Sequence, residues 1–535
     1  MDDILLGLGL IVGLGISLQW IAKIIKIPGI VLLLPAGIII GPILNLIDPI
    51  AIFGNSLFPA VTVGVGILLL KGGLDLDLGK LEINARKSVI RLVTVGGIIT
   101  LILGVIGMVL ITGLNFELAI ILSALLVVSG PTVVAPILSY ARPKEPVAST
   151  LLWESIIIDP IGAAIAVAIL SFVLSTNQNP FLDLILTTII GIIIGIIAGL
   201  AYILIDRTNN LPGNLNALIL LMLGVIAIVS GEIIYAEAGL FAGLTMGFVI
   251  ANKKLSPFNP GQAFTETLEP LIIGVLFIVL GSLININDMI YYFIPGLIIT
   301  LIYILIIRPF VAYISTINLG YSLKERLFIG FLHPRGIVAA ATASLFAIDL
   351  AKEGKSFPEL IPIVFTVIIL TVIIYGLLAP KLSKVLNIAE AEPTGIAIYG
   401  DEKWAIDLAN VLDDLKVKVM LLLPKNEETQ RFIRENFPNY PIYNGPISDL
   451  GDNDILDCIH EEKKKIRWVI IASSDHDKIR LVNGAFIRSI GIKNMIIFSK
   501  NRFSQDELLL NRKMNSLSKT PFGLFAKNPE EFLEI

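Results

Sequence analysis

The stretch VASTLLWESIIIDPIGAAIAVAIL occupies residues 147–170. It is long enough to cross a bilayer, whose hydrocarbon core needs about 20 helical residues. Yet it carries two acids, Glu154 and Asp159. A charge at the bilayer centre costs at least about 2.5–3.5 kcal/mol on insertion scales, so acids kept there read as working groups. Ser155 and Asp159 are four residues apart and share a helix face. Glu154 stands five before Asp159, on a different face, which gives the two carboxylates different tasks. Pro160 lacks an N–H and releases the carbonyl of Ile156 one turn earlier. Carboxylate, hydroxyl and released carbonyl together make an oxygen site for a small cation. The bland alternative is an interfacial acid pair with no transport role.

The surroundings of this stretch are of the same kind. Of 535 residues, 55% are hydrophobic and only 16% charged, and mean hydropathy is +0.85. Soluble domains are nearer a quarter charged. A disordered chain, a disulfide scaffold and a nucleic-acid binder are excluded: net charge is -4, and Cys458 is the one cysteine. Three scattered histidines, His333, His460 and His476, do not suggest a zinc hydrolase. The start, MDDILLGLGL, is acidic, so the first apolar stretch is expected to be a retained helix rather than a signal peptide.

Apolar runs succeed each other to about residue 386. They give about thirteen spans by length, near 4–22, 28–47, 56–77, 88–112, 117–140, 147–175, 181–205, 215–233, 237–252, 265–283, 289–317, 326–349 and 359–387. Lys and Arg concentrate in loops that follow odd-numbered spans; Lys352 and Lys355 are the exception. The positive-inside rule then puts the N-terminus outside and the C-terminal tail in the cytoplasm. Residues 389–535 differ in composition. GIAIYG (395–400), VKVMLLL (417–423), RWVIIAS (467–473) and NMIIFS (494–499) read as buried strands between amphipathic helices, the pattern of a parallel α/β sheet. The expected architecture is a polytopic α-helical membrane domain over 1–388 and a cytoplasmic Rossmann-like regulatory domain over 389–535.

Two spans are interrupted. Ser129-Gly130-Pro131-Thr132 breaks span five and His333-Pro334-Arg335-Gly336 breaks span twelve. Two broken helices in corresponding halves mark the binding site of many secondary transporters. The spans lie seven apart, so they run in opposite directions, as inverted repeats require. Arg335 is permanently charged and needs a partner at that depth. Glu154 is the expected one, as a structural ion pair. Asp159 is then the carboxylate that exchanges ions, with Ser155, Thr132 and Ser129 beside it. Lys71, in GILLLKGGLDLDL, either snorkels to the cytoplasmic side or faces the ion site and pairs with Asp159 when no substrate is bound. In the tail, Gly400 follows a strand, but a dinucleotide loop would place glycines where Glu402 and Ala405 stand, and Leu423-Pro424 replaces the ribose-binding acid. No nucleotide or other cofactor is expected.

At these residues the chain resembles the monovalent cation:proton antiporters, the bacterial sodium/proton exchangers. IPGIVLLLPAGIIIGP, KGGLDLDLGKL, SGPTVVAP, ESIIIDP, EAGLFAGLTMGFVIAN and HPRGIVAAATASLFA carry the resemblance over residues 5–388. It implies a homodimer with a dimerisation domain and a moving core, a site at Asp159 and the Glu154–Arg335 pair. The chain departs from the commoner pattern at Ile158-Asp159, where relatives have Asn-Asp. It departs again at Ser129-Gly130-Pro131 against Thr-Asp-Pro, and at Lys71 against a glutamate. The tail looks like an RCK-type domain with a degraded glycine loop. The expected function is Na⁺/H⁺ exchange by competition at Asp159 in the plasma membrane, electroneutral. K⁺/H⁺ exchange regulated by the tail, and a cation channel or membrane sensor, are the alternatives. No enzyme chemistry is expected, since no nucleophile–base pair or metal cluster stands out.

Overall fold

A computed structural model describes residues 2–25, 27–81, 83–174, 179–206, 213–253 and 260–390. Beyond them it describes five strands and the positions 408, 411 and 412. The chain divides into two compact units, Met1–Ala389 and Glu390–Ile535.

The first unit is helical. Among the described residues, eight helical runs are long and apolar enough to cross a membrane, and five shorter apolar helices accompany them. Apart from the short helix Pro49–Phe53, the helices in chain order are α1 Asp2–Ile24, α2 Ile30–Ile43, α3 Leu57–Asp75, α4 Ile83–Thr112, α5 Phe116–Leu125 and α6 Pro131–Ala141. They continue with α7 Val147–Val173, α8 Pro180–Asp206, α9 Gly213–Ile234, α10 Ala238–Asn252 and α11 Pro260–Ser282. The last are α12 Ile286–Tyr291, α13 Phe293–Ser315, α14 Leu323–Phe331, α15 Ile337–Lys352 and α16 Leu360–Val385.

Lipid-like surroundings offer no hydrophobic drive between helices, so close backbone approach and van der Waals contact hold them. The α3–α10 contact illustrates this: a Cβ on Gly247 would lie 2.1 Å from the Leu70 carbonyl oxygen, so only glycine permits the approach. Long apolar side chains on α1, α4, α8 and α13, such as Trp20, Leu110, Ile197 and Leu305, remain exposed, as expected of surfaces that meet acyl chains.

Both expected interruptions are present. The α5 helix stops at Leu125 and α6 starts at Pro131. Proline suits a first helical turn, where its missing N–H would be unsatisfied anyway. The α14 helix begins with a capping box, Ser322 with Glu325, and ends before Leu332; α15 starts after Gly336. By contrast α7 runs unbroken through Pro160.

The positive-inside exception also finds a physical reason. Lys355 donates to the Val173 carbonyl, at the end of α7, at 2.8 Å, and to Glu117, in the first turn of α5, at 3.0 Å. Its charge complements a helix C-terminus and an acid, while Lys352 is bound by Asp349 at 2.9 Å.

In the second unit five parallel strands, β1 Gly395–Tyr399, β2 Val419–Leu422, β3 Ile442–Tyr443, β4 Ile466–Ala472 and β5 Asn494–Phe498, form one sheet of order β3-β2-β1-β4-β5. Ala397 pairs with Met420 on one side and Val469 on the other, and Ile398 and Ile470 are buried. This is the doubly wound order, one strand short of the six of the full dinucleotide-binding sheet. The strand Ile442–Tyr443 is additional to the four read from sequence; two residues are too few to show a period. Gly400, Glu402, Ala405, Leu423 and Pro424 lie outside the described residues.

Candidate functional site

The two interruptions meet each other. Gly130 and Gly336 touch backbone to backbone: a Cβ on Gly336 would lie 3.0 Å from the Gly130 Cα. Three hydrogen bonds tie the unwound segments to each other and to α16. The Ser129 hydroxyl donates to the Pro334 carbonyl at 2.9 Å. Arg335 Nη1 donates to the Val128 carbonyl at 3.2 Å. The Arg335 backbone N–H donates to Thr371 Oγ1, on α16, at 3.3 Å. Unwound backbone buried within the protein needs such partners for its N–H and C=O groups.

Asp159 on α7 lies against this crossing. It is 3% exposed, and Oδ1 has no hydrogen-bond partner. Its Oδ2 would be 3.6 Å from a Cβ placed on Gly130. A small cavity opens beside it, lined by Pro131 and Thr132 of α6, Ile337 and Val338 of α15, and Val65, Leu68 and Leu69 of α3. Its volume is about 10 Å³, on the scale of one water-sized particle. The lining residues of α6 and α15 are the first turns of those helices. The N-terminal ends of both helices carry partial positive charge, which favours an anion between them. The arrangement therefore offers one buried carboxylate, one hydroxyl and unwound backbone around a space for one small ion. Among the described residues no cluster of three or more His, Cys, Asp or Glu is present.

The remaining expected site residues divide. Thr132 shares the cavity with Asp159. Ser155 is buried, and its hydroxyl donates to Leu152 of its own helix at 2.8 Å. The Ser129 proton is committed to Pro334, so this serine joins the two breaks. Lys71 pairs with Asp75 and lies 3.5 Å from Glu269 of α11. Gly64, seven residues earlier and so on the same face, packs on Ile272 and Leu276 of α11. The α3 face lining the cavity is a different one, which is why Lys71 is not directed at Asp159 in this structure.

The Glu154–Arg335 ion pair is corrected. Glu154 is held by Arg308 of α13, with Nη1 to Oε1 at 2.6 Å and Nη2 to Oε2 at 2.7 Å; His333 Nδ1 stands 3.8 Å from Oε1. Five helical residues turn a side chain about 140° away from its starting direction, so Glu154 leaves the Asp159 side and meets α13. Arg308 also donates from Nε to the Ile329 carbonyl at 3.2 Å, which satisfies an end carbonyl of α14. Arg335 instead lies over the Tyr303 ring, 4.9 Å from guanidinium carbon to centroid. A π-turn over Tyr303–Ile307 interrupts α13. With its wider turn, residues five apart come round to one side, so Tyr303 and Arg308 both turn inward and both are 3% exposed. The sequence carries a signal for Arg308 as well, an arginine inside the apolar run ILIIRPFVAYI (304–314), to which the depth argument made for Arg335 applies equally.

Comparison with known proteins agrees with this architecture. The profile of the family described as "Sodium/hydrogen exchanger, transmembrane" matches residues 10–384. Two curated relatives from Methanocaldococcus jannaschii are similar to this chain. Na(+)/H(+) antiporter 1 is 29% identical over 414 residues, 74% of this chain and 96% of its own. Probable Na(+)/H(+) antiporter 2 is 29% identical over 418 residues, 74% of this chain and 94% of its own. Among solved structures, the sodium proton antiporter MjNhaP1 from that organism, at pH 8, superposes with a TM-score of 0.62 at 28% identity. That match covers 71% of this chain and 97% of the other.

Proposed function

The chain belongs to the sodium/hydrogen exchanger family, and from that premise we propose that it exchanges Na⁺ for H⁺ by competition of the two ions for Asp159. The supporting observation is the buried Asp159 carboxylate, with an oxygen that nothing satisfies, beside a one-ion cavity between two helix N-termini. A bare carboxylate in a low-dielectric site is costly. It is stable there when it holds either a proton or a monovalent cation with Thr132 and backbone oxygens around it. Each bound form is neutral and crosses the apolar barrier of Val65, Leu68 and Leu69; the empty anionic form does not. With Glu154 committed to Arg308, exchange through Asp159 alone is one-for-one and electroneutral. Alternating access follows from displacement of the helices bearing the crossing relative to α3.

The chain is a multi-span membrane protein. The charge bias of its loops supports an outside N-terminus and a cytoplasmic sheet domain, and the family resemblance supports a homodimer in a plasma membrane. The tail regulates exchange without carrying the ion.

The test is ion competition in proteoliposomes with a pH-gradient dye. Over the acidic range, each unit fall in pH should raise the apparent Na⁺ KM roughly tenfold with little change in maximal rate, as one proton competes with one cation. A Na⁺ KM independent of pH would refute competition. Running K⁺ and Li⁺ in parallel decides the cation, and a large conductance in place of saturable exchange would indicate a channel.

A further inference from the structure

Arg335 is 1% exposed, and its guanidinium stays protonated, so its charge has to be met inside the protein. Both oxygens of Glu154 are taken by Arg308. Of the Arg335 donors, Nη1 reaches the Val128 carbonyl, and Nε has no hydrogen-bond partner. Among the described residues, the face of Tyr303 covers the cation, 4.9 Å away, while Tyr375 of α16 and the already paired Glu154 lie within electrostatic reach. An aromatic face attracts a cation through its quadrupole, most strongly where water is excluded.

Tyr303 is itself held in place. Its hydroxyl lies 3.2 Å from Ser123 Oγ on α5, and Ser123 donates to the Leu101 carbonyl on α4 at 2.8 Å. The π-turn of α13 aims the ring inward. The ring is therefore fixed from three helices before it meets Arg335. A second carboxylate could neutralise Arg335 as well, but it would add another titrating acid near the crossing. A ring face exchanges no proton, so the guanidinium keeps its place whatever the pH.

We propose that Tyr303 is the positioning residue for Arg335: its ring face takes the place of a carboxylate counter-ion and seats the guanidinium on the Val128 carbonyl, which fixes the spacing of the two broken helices around Asp159. Arg335 then bridges the interruptions in addition to the Ser129–Pro334 bond. The inference rests on Asp159 being the ion site.

The experiment uses the full chain in proteoliposomes, with Na⁺ KM, maximal rate and pH profile measured for Tyr303→Phe, Tyr303→Trp and Tyr303→Leu, and with heat stability in detergent as a folding control. Phe and Trp keep the ring and should stay within about twofold of the unmodified protein. Leu should raise the Na⁺ KM roughly tenfold and displace the pH profile, the factor a desolvated cation–π contact supports. If Tyr303→Leu does not assemble, Tyr303→Met fills the volume without a ring and gives the same comparison. Normal KM and pH profile in Tyr303→Leu would overturn the inference. So would equal impairment of Tyr303→Phe, which would assign the role to the hydroxyl. Asp159→Asn, measured alongside, separates the two levels: if it still exchanges, the site reading fails, whereas an inactive Asp159→Asn beside a normal Tyr303→Leu sinks the inference alone.

Discussion

Replacing Arg308 with methionine should cost more stability than replacing any solvent-facing arginine of this chain. The Glu154 and Arg308 side chains are only 3% and 4% exposed and meet through two short bonds. Removing one partner leaves a buried charge without compensation, which costs ~3–5 kcal/mol. A second loss falls on the Ile329 carbonyl at the end of α14, which forfeits its donor. Removing both charges together, as Glu154→Leu with Arg308→Met, leaves no orphan charge and should recover most of the loss. The assay is a double-mutant cycle on the purified protein in bicelles, read as unfolding free energy against denaturant. The Glu154/Arg308 coupling should be at least ~2 kcal/mol, while the Glu154/Arg335 cycle should give under ~1 kcal/mol, as for groups without direct contact. A larger coupling for Arg335 than for Arg308 would refute the pairing and restore the one expected from sequence.

Three further outcomes follow from the geometry. Gly336→Ala should impair exchange more than Gly130→Ala, because the added Cβ would lie 3.0 Å from backbone in the first case and 3.4 Å in the second; transport rates in vesicles rank them. Lys71→Gln should leave Na⁺ KM and the pH profile unchanged, since Lys71 is engaged by Asp75 and Glu269 on the α11 side; a displaced pH profile would place it in the site. Lys355→Met should lower heat stability by about 1–2 kcal/mol through the exposed Glu117 pair and the lost Val173 contact, and leave the ion affinity intact.

What was legible in the chain was legible for physical reasons. Glycine and proline at 130–131 and at 334 and 336 cannot continue a helix in the usual way, so both interruptions could be placed to within a few residues. Asp159 could be singled out because a carboxylate in an apolar span has few bland explanations. Partner choice was harder. Helix geometry puts Glu154 off the Asp159 face, but which arginine it meets depends on where α13 lies. The π-turn at Tyr303–Ile307 also rotates Arg308 inward in a way that regular helical spacing does not anticipate. Lys71 shows the same limit: the apolar run places it within a helix, while the neighbour it faces is set by packing against α11. The strand Ile442–Tyr443 escaped because it is too short to carry a pattern. Lys355, an exception to the charge pattern of the loops, has partners that only the packing shows, a helix end and Glu117.

The account stands on the Asp159 carboxylate as the group for which proton and cation compete. Sodium-driven proton movement by Asp159→Asn in proteoliposomes, at a protein density matched to the unmodified chain, tests this most directly. Exchange should fall to the level of empty vesicles while the protein remains folded in detergent. Exchange at the normal rate and Na⁺ dependence would contradict it.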